Sequence, residues 1–549
     1  MTVENRPISQ VEEQLREAQQ LLARQQVPQA EQLLLEVLKQ DANNQEALGG
    51  LVMICLQSGR AEEAQQHLQC LVATYPENEL YCERLATLLV SRGEADKAIA
   101  AYRTLLAGSP QRSNSRYNLA RLLKRTGYPD QALVEYEECL QRSIDCPEEV
   151  LTNISVIHTE AHHNDRAEAA LRRALSINMD YVPALYNLAL LQEEMGDWSA
   201  AHAQLVNILA LQPLHAGALS HIAAAQTITD PVDPLLRSMK RAERQDGVTE
   251  EDRESLLYAL GKANDDLQRF SDAFEFYMRA NQYSRGRAGE YDRGDTEQAV
   301  SALIEGCNPP WLNAIEPVSD APLLFICGMF RSGSTLLEQI LAAHPRVTAG
   351  GEIDYLRSRL APFPATVLDI ENDAAQKLGH GYLDYLQQNF GDTTLVCNKR
   401  PDNFLYLGLI KALFPNARFL NTSRDPMDVC LSVFFQSLDK SLDYANDLFD
   451  IAHYYLQYQR LMSHWRQLFG DNILDVSYES LVENLQPEIT VALEFLGLEW
   501  DPACLEFHAS DSRVRTASLH QVRQPLYQSS AGRWHNYAAH IGKLEGYLK

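Results

Sequence analysis

LLFICGMFRSGSTLLEQIL, residues 323–341, decides the fold. An apolar run, a glycine-bearing turn and an amphipathic segment follow one another, which predicts a strand, a tight turn and a helix. That order builds an anion cradle, because the N–H groups of the turn and the positive end of the helix dipole converge on one point. Gly328, Gly333, Ser334 and Thr335 fit the nucleotide-triphosphate loop G-x-x-x-x-G-K-[ST], except that Ser334 stands where the lysine belongs. A loop lacking that lysine has nothing to reach the β/γ-phosphates. Arg331, two residues before Gly333, offers a planar fork of donors instead. The expected ligand is a nucleotide without a γ-phosphate, which argues against a kinase or NTPase.

Working outward toward the C-terminus, apolar runs at LLFIC, TLVCN, ARFLNTS and ILDVSY alternate with helical stretches. This predicts an α/β domain over 321–549 with a central parallel sheet covered on both faces. Ligands of such sheets bind beyond the carboxyl ends of the strands. ARFLNTS runs into Arg424-Asp425-Pro426, where Asp425 can cap the next helix and Pro426 suits its first turn. Arg424 and Ser432 together are candidates to grip a second phosphate. Cys327 and Cys397 fall within strands and read as small core residues.

Working outward toward the N-terminus, Gly59, Gly93 and Gly127 recur every 34 residues, each followed five residues later by Ala64, Ala98 or Ala132. Pro76 and Pro110 keep the same interval. A period of 34 with small residues at these points resembles the tetratricopeptide repeat, a helix–turn–helix unit. Looser copies surround Asn164 with Ala169, Gly196 with Ala201, a first pair near residues 10–43 and a last near 256–281. The expectation is an all-α solenoid over 10–285 with a concave groove for a protein or peptide, a spacer or dimerisation role being the alternative. The polar, glycine- and proline-bearing segment 286–320 is expected as a linker between the two domains.

A chain of 549 residues exceeds what one core supports, so at least two domains are expected. The net charge of −26 argues against nucleic acid as a partner. Outside 321–549 there are 29 basic and 48 acidic residues, so the repeat half carries most of the imbalance. No apolar run reaches membrane-spanning length and MTVENRPISQVEEQ lacks a signal-peptide core, so neither membrane nor export is expected. Ten scattered cysteines without metal-ligand spacing suit a reducing cytoplasm. His162 and His163 have no third ligand nearby in sequence and read as a solvated loop.

FRSGSTLLEQIL followed by SRDPMDVCLS resembles the sulfotransferase family, whose donor is 3′-phosphoadenosine-5′-phosphosulfate. The match is strongest with the protein-tyrosine sulfotransferases. Shared motifs are RSG[TS]T, His344-Pro345, Gly351-Glu352, Asn398-Lys399, Tyr478 to Val482, then Ser518, Gln521-Val522 and Arg533-Trp534. They occur in family order over roughly 322–535. Two departures stand out. The animal enzymes carry a membrane anchor that is not found here, and Arg533 replaces a lysine.

The resemblance implies transfer of a sulfuryl group to a hydroxyl, tyrosine of a recruited protein being the expected acceptor. Glu352 takes the place of the family's base, with Arg331, Lys399 and Ser518 stabilising charge as the bond to the donor breaks. Ser332, Gly333, Ser334 and Thr335 join Arg331 on the 5′-phosphosulfate, Arg424 and Ser432 take the 3′-phosphate, and Tyr478 and Arg533 add donor contacts. No metal is expected. A carbohydrate or small-molecule acceptor, or a nucleotide-binding scaffold without turnover, are the alternatives left open. The sequence fixes neither the acceptor nor the oligomeric state.

Overall fold

The computed structural model describes residues 10–161, 163–360, 363, 365–391, 395–439, 441–509 and 530–549. By internal contacts the chain divides into two units, the first ending at Leu191 and the second beginning at Gln192, within the helix Val182–Met195.

The first unit is a run of antiparallel helix pairs, such as Gln45–Gln57 with Ala61–Thr74 and Glu79–Ser91 with Ala95–Gly108. The periodic glycines lie two residues past each first helix with positive φ: +72° at Gly59, +76° at Gly93 and +86° at Gly127. A residue without Cβ takes this left-handed turn at no steric cost. Ala64, Ala98 and Ala132, fourth in each second helix, have no exposed surface and let the pair close up. In the pair Pro147–Glu160 and Asn164–Ile177 that buried place belongs to Ala167, two residues earlier than the expected Ala169, which is exposed. Gln25 holds the glycine's place in the first pair at φ +61°.

The second unit opens with further pairs, ending in Glu250–Asp266 and Phe270–Ala288, where Gln268 takes the left-handed turn at φ +58°. The expected linker is a correction. Residues 286–320 hold the helices Arg293–Gly306 and Pro309–Ala314, and Val300, Leu303 and Cys307 lie in the same apolar core as the sheet. Arg293 pairs with Asp450 at 2.7 Å and His464 lies 3.0 Å from the carbonyl of Cys307. Its polar, glycine-rich lettering marked a helix with one wet face.

The sheet has five parallel strands in the order β2–β3–β1–β4–β5. They are β1 (Leu324–Gly328), β2 (Thr348–Ala349), β3 (Val396–Lys399), β4 (Arg418–Ser423) and β5 (Ile473–Ser477). Four coincide with the apolar runs; β2, two residues long, is too short to leave a pattern. Leu324 and Ile326 pack on one face with Leu337 and Ile340 of the helix Ser334–Ala342, while Phe325 and Cys327 pack on the other. Burial of both faces explains why these strands read as unbroken apolar runs. The carboxyl ends of β1, β3, β4 and β5 lie at one edge, with Gly328 level with Thr422 and Ser423 level with Ser477.

Candidate active site

Several motif residues lie at strand ends on that edge: Arg331 after β1, Lys399 closing β3, Arg424 after β4 and Tyr478 after β5. After β1 the chain turns sharply: Gly328 has φ +149°, Arg331 φ +69° and Gly333 φ +101°. A Cβ on Gly328 would lie 2.5 Å from the Thr422 carbonyl oxygen, and one on Gly333 would lie 2.8 Å from the Tyr478 ring. Both glycines are therefore required by close approach. Ser332 is buried, donating to the Met329 carbonyl at 2.6 Å and lying 2.7 Å from Thr422 Oγ1. Its hydroxyl shapes the loop from inside. Gly333 caps the helix Ser334–Ala342 without any side-chain bond, and buried Ser334 and Thr335 form its first turn. The helix thus opens from a glycine turn with no N-cap side chain over its end, the arrangement that attracts an anion.

The second motif meets the first. Arg331 Nε donates to Ser432 Oγ at 3.1 Å across 101 residues of chain. Arg424, with an 8% exposed side chain, donates to the main-chain carbonyls of Arg331 at 3.2 Å and Ser530 at 2.5 Å. Its guanidinium lies over the Tyr478 ring at 4.7 Å. Arg424 Nε is buried with no partner among the described residues, an unmet donor of the kind a phosphate oxygen satisfies. Asp425 caps the helix Pro426–Phe434 as expected, accepting from Met427 and Asp428 N–H.

Lys399 and Glu352 form a pair of their own. Lys399 ends β3 fully buried, and its Nζ donates to Glu352 Oε1 at 2.7 Å, with Glu352 one-third exposed. An ammonium so placed needs a partner. Glu338, buried in the helix after the loop, was not anticipated. Its Oε1 accepts from Gly351 N–H at 2.8 Å, which fixes the turn that presents Glu352. Burial pushes its carboxyl up to about 7, against the opposing pull of Lys399 and that N–H. Position four after Ser334, flanked by buried Leu337 and Leu341, was the signal: a carboxylate on the apolar stripe of its helix.

Arg533 departs from expectation. Its guanidinium pairs with Asp265 at 2.7 Å and lies 5.4 Å from the Phe435 ring. The main chain around it touches the site instead, as Gly532 and Trp534 N–H donate to Asp428 at 2.6 and 2.9 Å. Burial raises the Asp428 carboxyl, and the Trp534 N–H and Arg424 draw it back. Ser518, Gln521 and Val522 lie outside the described residues. Cys327 and Cys397 are core residues with no exposed surface. Among the described residues no group of three His, Cys, Asp or Glu side chains is placed to hold a metal ion, and no helix is long and apolar enough to cross a membrane.

Comparison with known proteins places a sulfotransferase-family match over 322–502 and tetratricopeptide-repeat matches over 15–86 and 83–143. The chain is 29% identical over 314 residues to an uncharacterized protein of Aquifex aeolicus, covering 54% of this chain and 41% of that one. It is 25% identical to protein-tyrosine sulfotransferase 1 of Danio rerio, over 38% of this chain and 62% of the relative. The chain thus spans less than two thirds of the length of either. The sulfotransferase domain of the Synechococcus PCC 7002 olefin synthase aligns over 40% of this chain and 88% of its own at 22% identity, with a TM-score of 0.32.

Proposed function

We propose that the chain is a sulfotransferase drawing on 3′-phosphoadenosine-5′-phosphosulfate and acting, in the cytoplasm, on a tyrosine hydroxyl of a protein or peptide recruited by the repeats. The observation that carries the reading is the Arg331–Ser432 hydrogen bond at 3.1 Å. It joins the cradle after β1 to the arginine–serine site after β4, so one nucleotide with phosphates at both ends of its ribose can meet both. The sulfotransferase-family match over 322–502 supports the same reaction class.

The donor would supply a sulfuryl group already activated on a phosphate. Arg331, Gly333, Ser334 and Thr335 would hold its 5′ end at the helix N-terminus, with Ser332 shaping the loop from inside. Arg424 and Ser432 would hold the 3′-phosphate, and Tyr478, packed on Gly333 and under Arg424, would wall the pocket. Neither phenol nor alcohol is a strong nucleophile near neutrality, so a base must take the proton as the new S–O bond forms. Glu352 would take that proton. Lys399 anchors Oε1, and Oε2 accepts no hydrogen bond from any described residue. Arg331 and the loop N–H groups would offset the charge gathering on the departing phosphate. Ser518 is assigned to that same charge by resemblance alone, and Arg533 is withdrawn from the donor contacts.

Calorimetric titration with 3′-phosphoadenosine-5′-phosphate beside ATP, on the full chain and on Arg424→Ala, tests the reading. Binding of the 3′-phosphorylated nucleotide alone, lost in the variant, is expected. A preference for ATP would sink it. With binding secured, a panel of tyrosine peptides, sugars and phenols identifies the acceptor.

A further inference from the structure

The first unit carries a groove whose chemistry differs from the array around it. A cleft of about 530 Å³ is lined by Met53 and Leu56 of the helix Gln45–Gln57 and by Leu80, Arg84 and Thr87 of Glu79–Ser91. Thr87 also lines a second cleft, with Asn118, Arg121 and Arg125 of the helix Ser113–Arg125. Arg121 and Arg125 then line a third, with Asn153 and Glu160 of Pro147–Glu160. Shared residues make these one continuous groove, and each of the four helices is the first of its pair.

One end is apolar. Met53, Leu56 and Leu80 are 46%, 43% and 49% exposed, adjacent to one another on a surface where large apolar side chains are usually isolated. The remainder is cationic. Arg84, Arg121 and Arg125 are exposed and form no salt bridge with any described residue, although acidic residues outnumber basic ones 48 to 29 outside 321–549. Carboxylates at the groove are already engaged: Glu83 accepts from Asn118 at 2.6 Å, and Glu160 pairs with Lys124 at 3.0 Å. Three guanidiniums with no salt-bridge partner among the described residues, Arg121 lying 5.7 Å from the Tyr117 ring, are where a partner's carboxylates find fork-shaped donors.

We infer that this groove binds an acidic peptide segment with one apolar side chain seated among Met53, Leu56 and Leu80 and carboxylates on Arg84, Arg121 and Arg125. The inference rests on the recruitment role proposed above and names the chemistry of what is recruited. The apolar seat at one end favours a peptide with an apolar side chain over a nucleic acid, whose backbone offers nothing to fill it.

Fluorescence polarisation on the full chain tests it, using a short labelled peptide of glutamates flanking one leucine. That peptide has no hydroxyl side chain, so binding is read independently of sulfuryl transfer and of nucleotide. The glutamate peptide should bind at low salt, weaken as salt rises, and outcompete its lysine counterpart. Arg121→Glu with Arg125→Glu should weaken it about tenfold or more, as should Leu80→Asp or a leucine-to-serine change in the peptide. Nucleotide titration should be unaltered in these variants, showing that the fold is intact. No binding of the glutamate peptide, equal binding of the lysine peptide, full binding by the double variant, or displacement by an oligouridylate at lower concentration would each overturn the assignment.

Discussion

At the residue scale, Glu338 is where burial and chemistry conflict. Its carboxyl titrates near 7 in the folded chain against about 4.5 when unfolded, burial being the main cause. The folded state therefore holds the extra proton between those values. Stability is fully present below about pH 4.5 and is lost as pH rises through 7. Glu338→Gln can still accept from Gly351 N–H but has no charge to bury. From pH 4.5 to 8 the variant should gain about 3 kcal/mol relative to wild type, since a pKa unit is about 1.4 kcal/mol. Denaturant melts at the two pH values check this, and a constant difference between the proteins would refute it. Arg331 poses the complementary case, a non-glycine residue in left-handed backbone at φ +69°, a conformation that costs about 1–3 kcal/mol. Arg331→Gly relieves that strain but loses the bond to Ser432 and adds unfolded-chain entropy. Its stability should stay within about 1 kcal/mol of wild type while calorimetry shows nucleotide binding abolished. Strain tolerated only for the side chain it aims is the signature of a site residue. A large fall in stability would instead make the arginine structural.

At the scale of elements, the repeat turn reports on its own defects. Gly59, Gly93 and Gly127 occupy the left-handed turn, whereas the last pair places Gln268 there at φ +58°. A Cβ in that conformation costs about 1–2 kcal/mol, of which glycine's greater unfolded-state freedom takes back about half. Gln268→Gly should therefore raise stability by about 0.5–1 kcal/mol, measurable as a higher Tm in a thermal melt, and a lower Tm would show that the side chain has work of its own. The same turn explains what could be read in advance. Glycines every 34 residues and strands buried on both faces leave strong periodic marks, so the solenoid, four strands and the loop after β1 were legible. A two-residue β2, helices at 286–320 with one polar face, and a buried carboxylate at Glu338 leave little or none. Motif letters pointed to Arg331, Arg424 and Tyr478 just past strand ends and to Ser432 in the helix after β4, and the fold brings Arg331 and Ser432 together. They could not say that Arg533 turns its head to Asp265, since that depends on a helix 268 residues away.

At the scale of the molecule, the question is where the sheet-bearing unit begins. Motif matching starts it near residue 322, but the core does not stop there. Tyr277 stacks on Phe435 with ring centroids 3.8 Å apart, and Asn281 donates to the Phe434 carbonyl at 2.8 Å in a buried contact. Buried Glu254 accepts from Ser284 at 2.7 Å and from Ser437 at 2.9 Å, and pairs with Arg287. Leu257, Ala280, Val300, Leu303 and Cys307 are fully or nearly buried in the core that also holds Phe419 and Trp465. Uncovering side chains of this size forfeits about 1.5–3 kcal/mol each for the larger ones, and a whole domain holds only about 5–15 kcal/mol. A chain of residues 321–549 should therefore fail to fold, giving insoluble protein or no cooperative melt. A chain beginning at Val182, which keeps the helix Val182–Met195 whole, should melt cooperatively and bind 3′-phosphoadenosine-5′-phosphate as the full chain does. Cooperative folding and nucleotide binding by the 321–549 chain would show that the helices from Glu250 to Gly306 are an accessory. Their failure together, with binding retained from Val182 onward, would mean that the last repeat helices are part of the core around the sheet, and that Asp265 reaches Arg533 from within it.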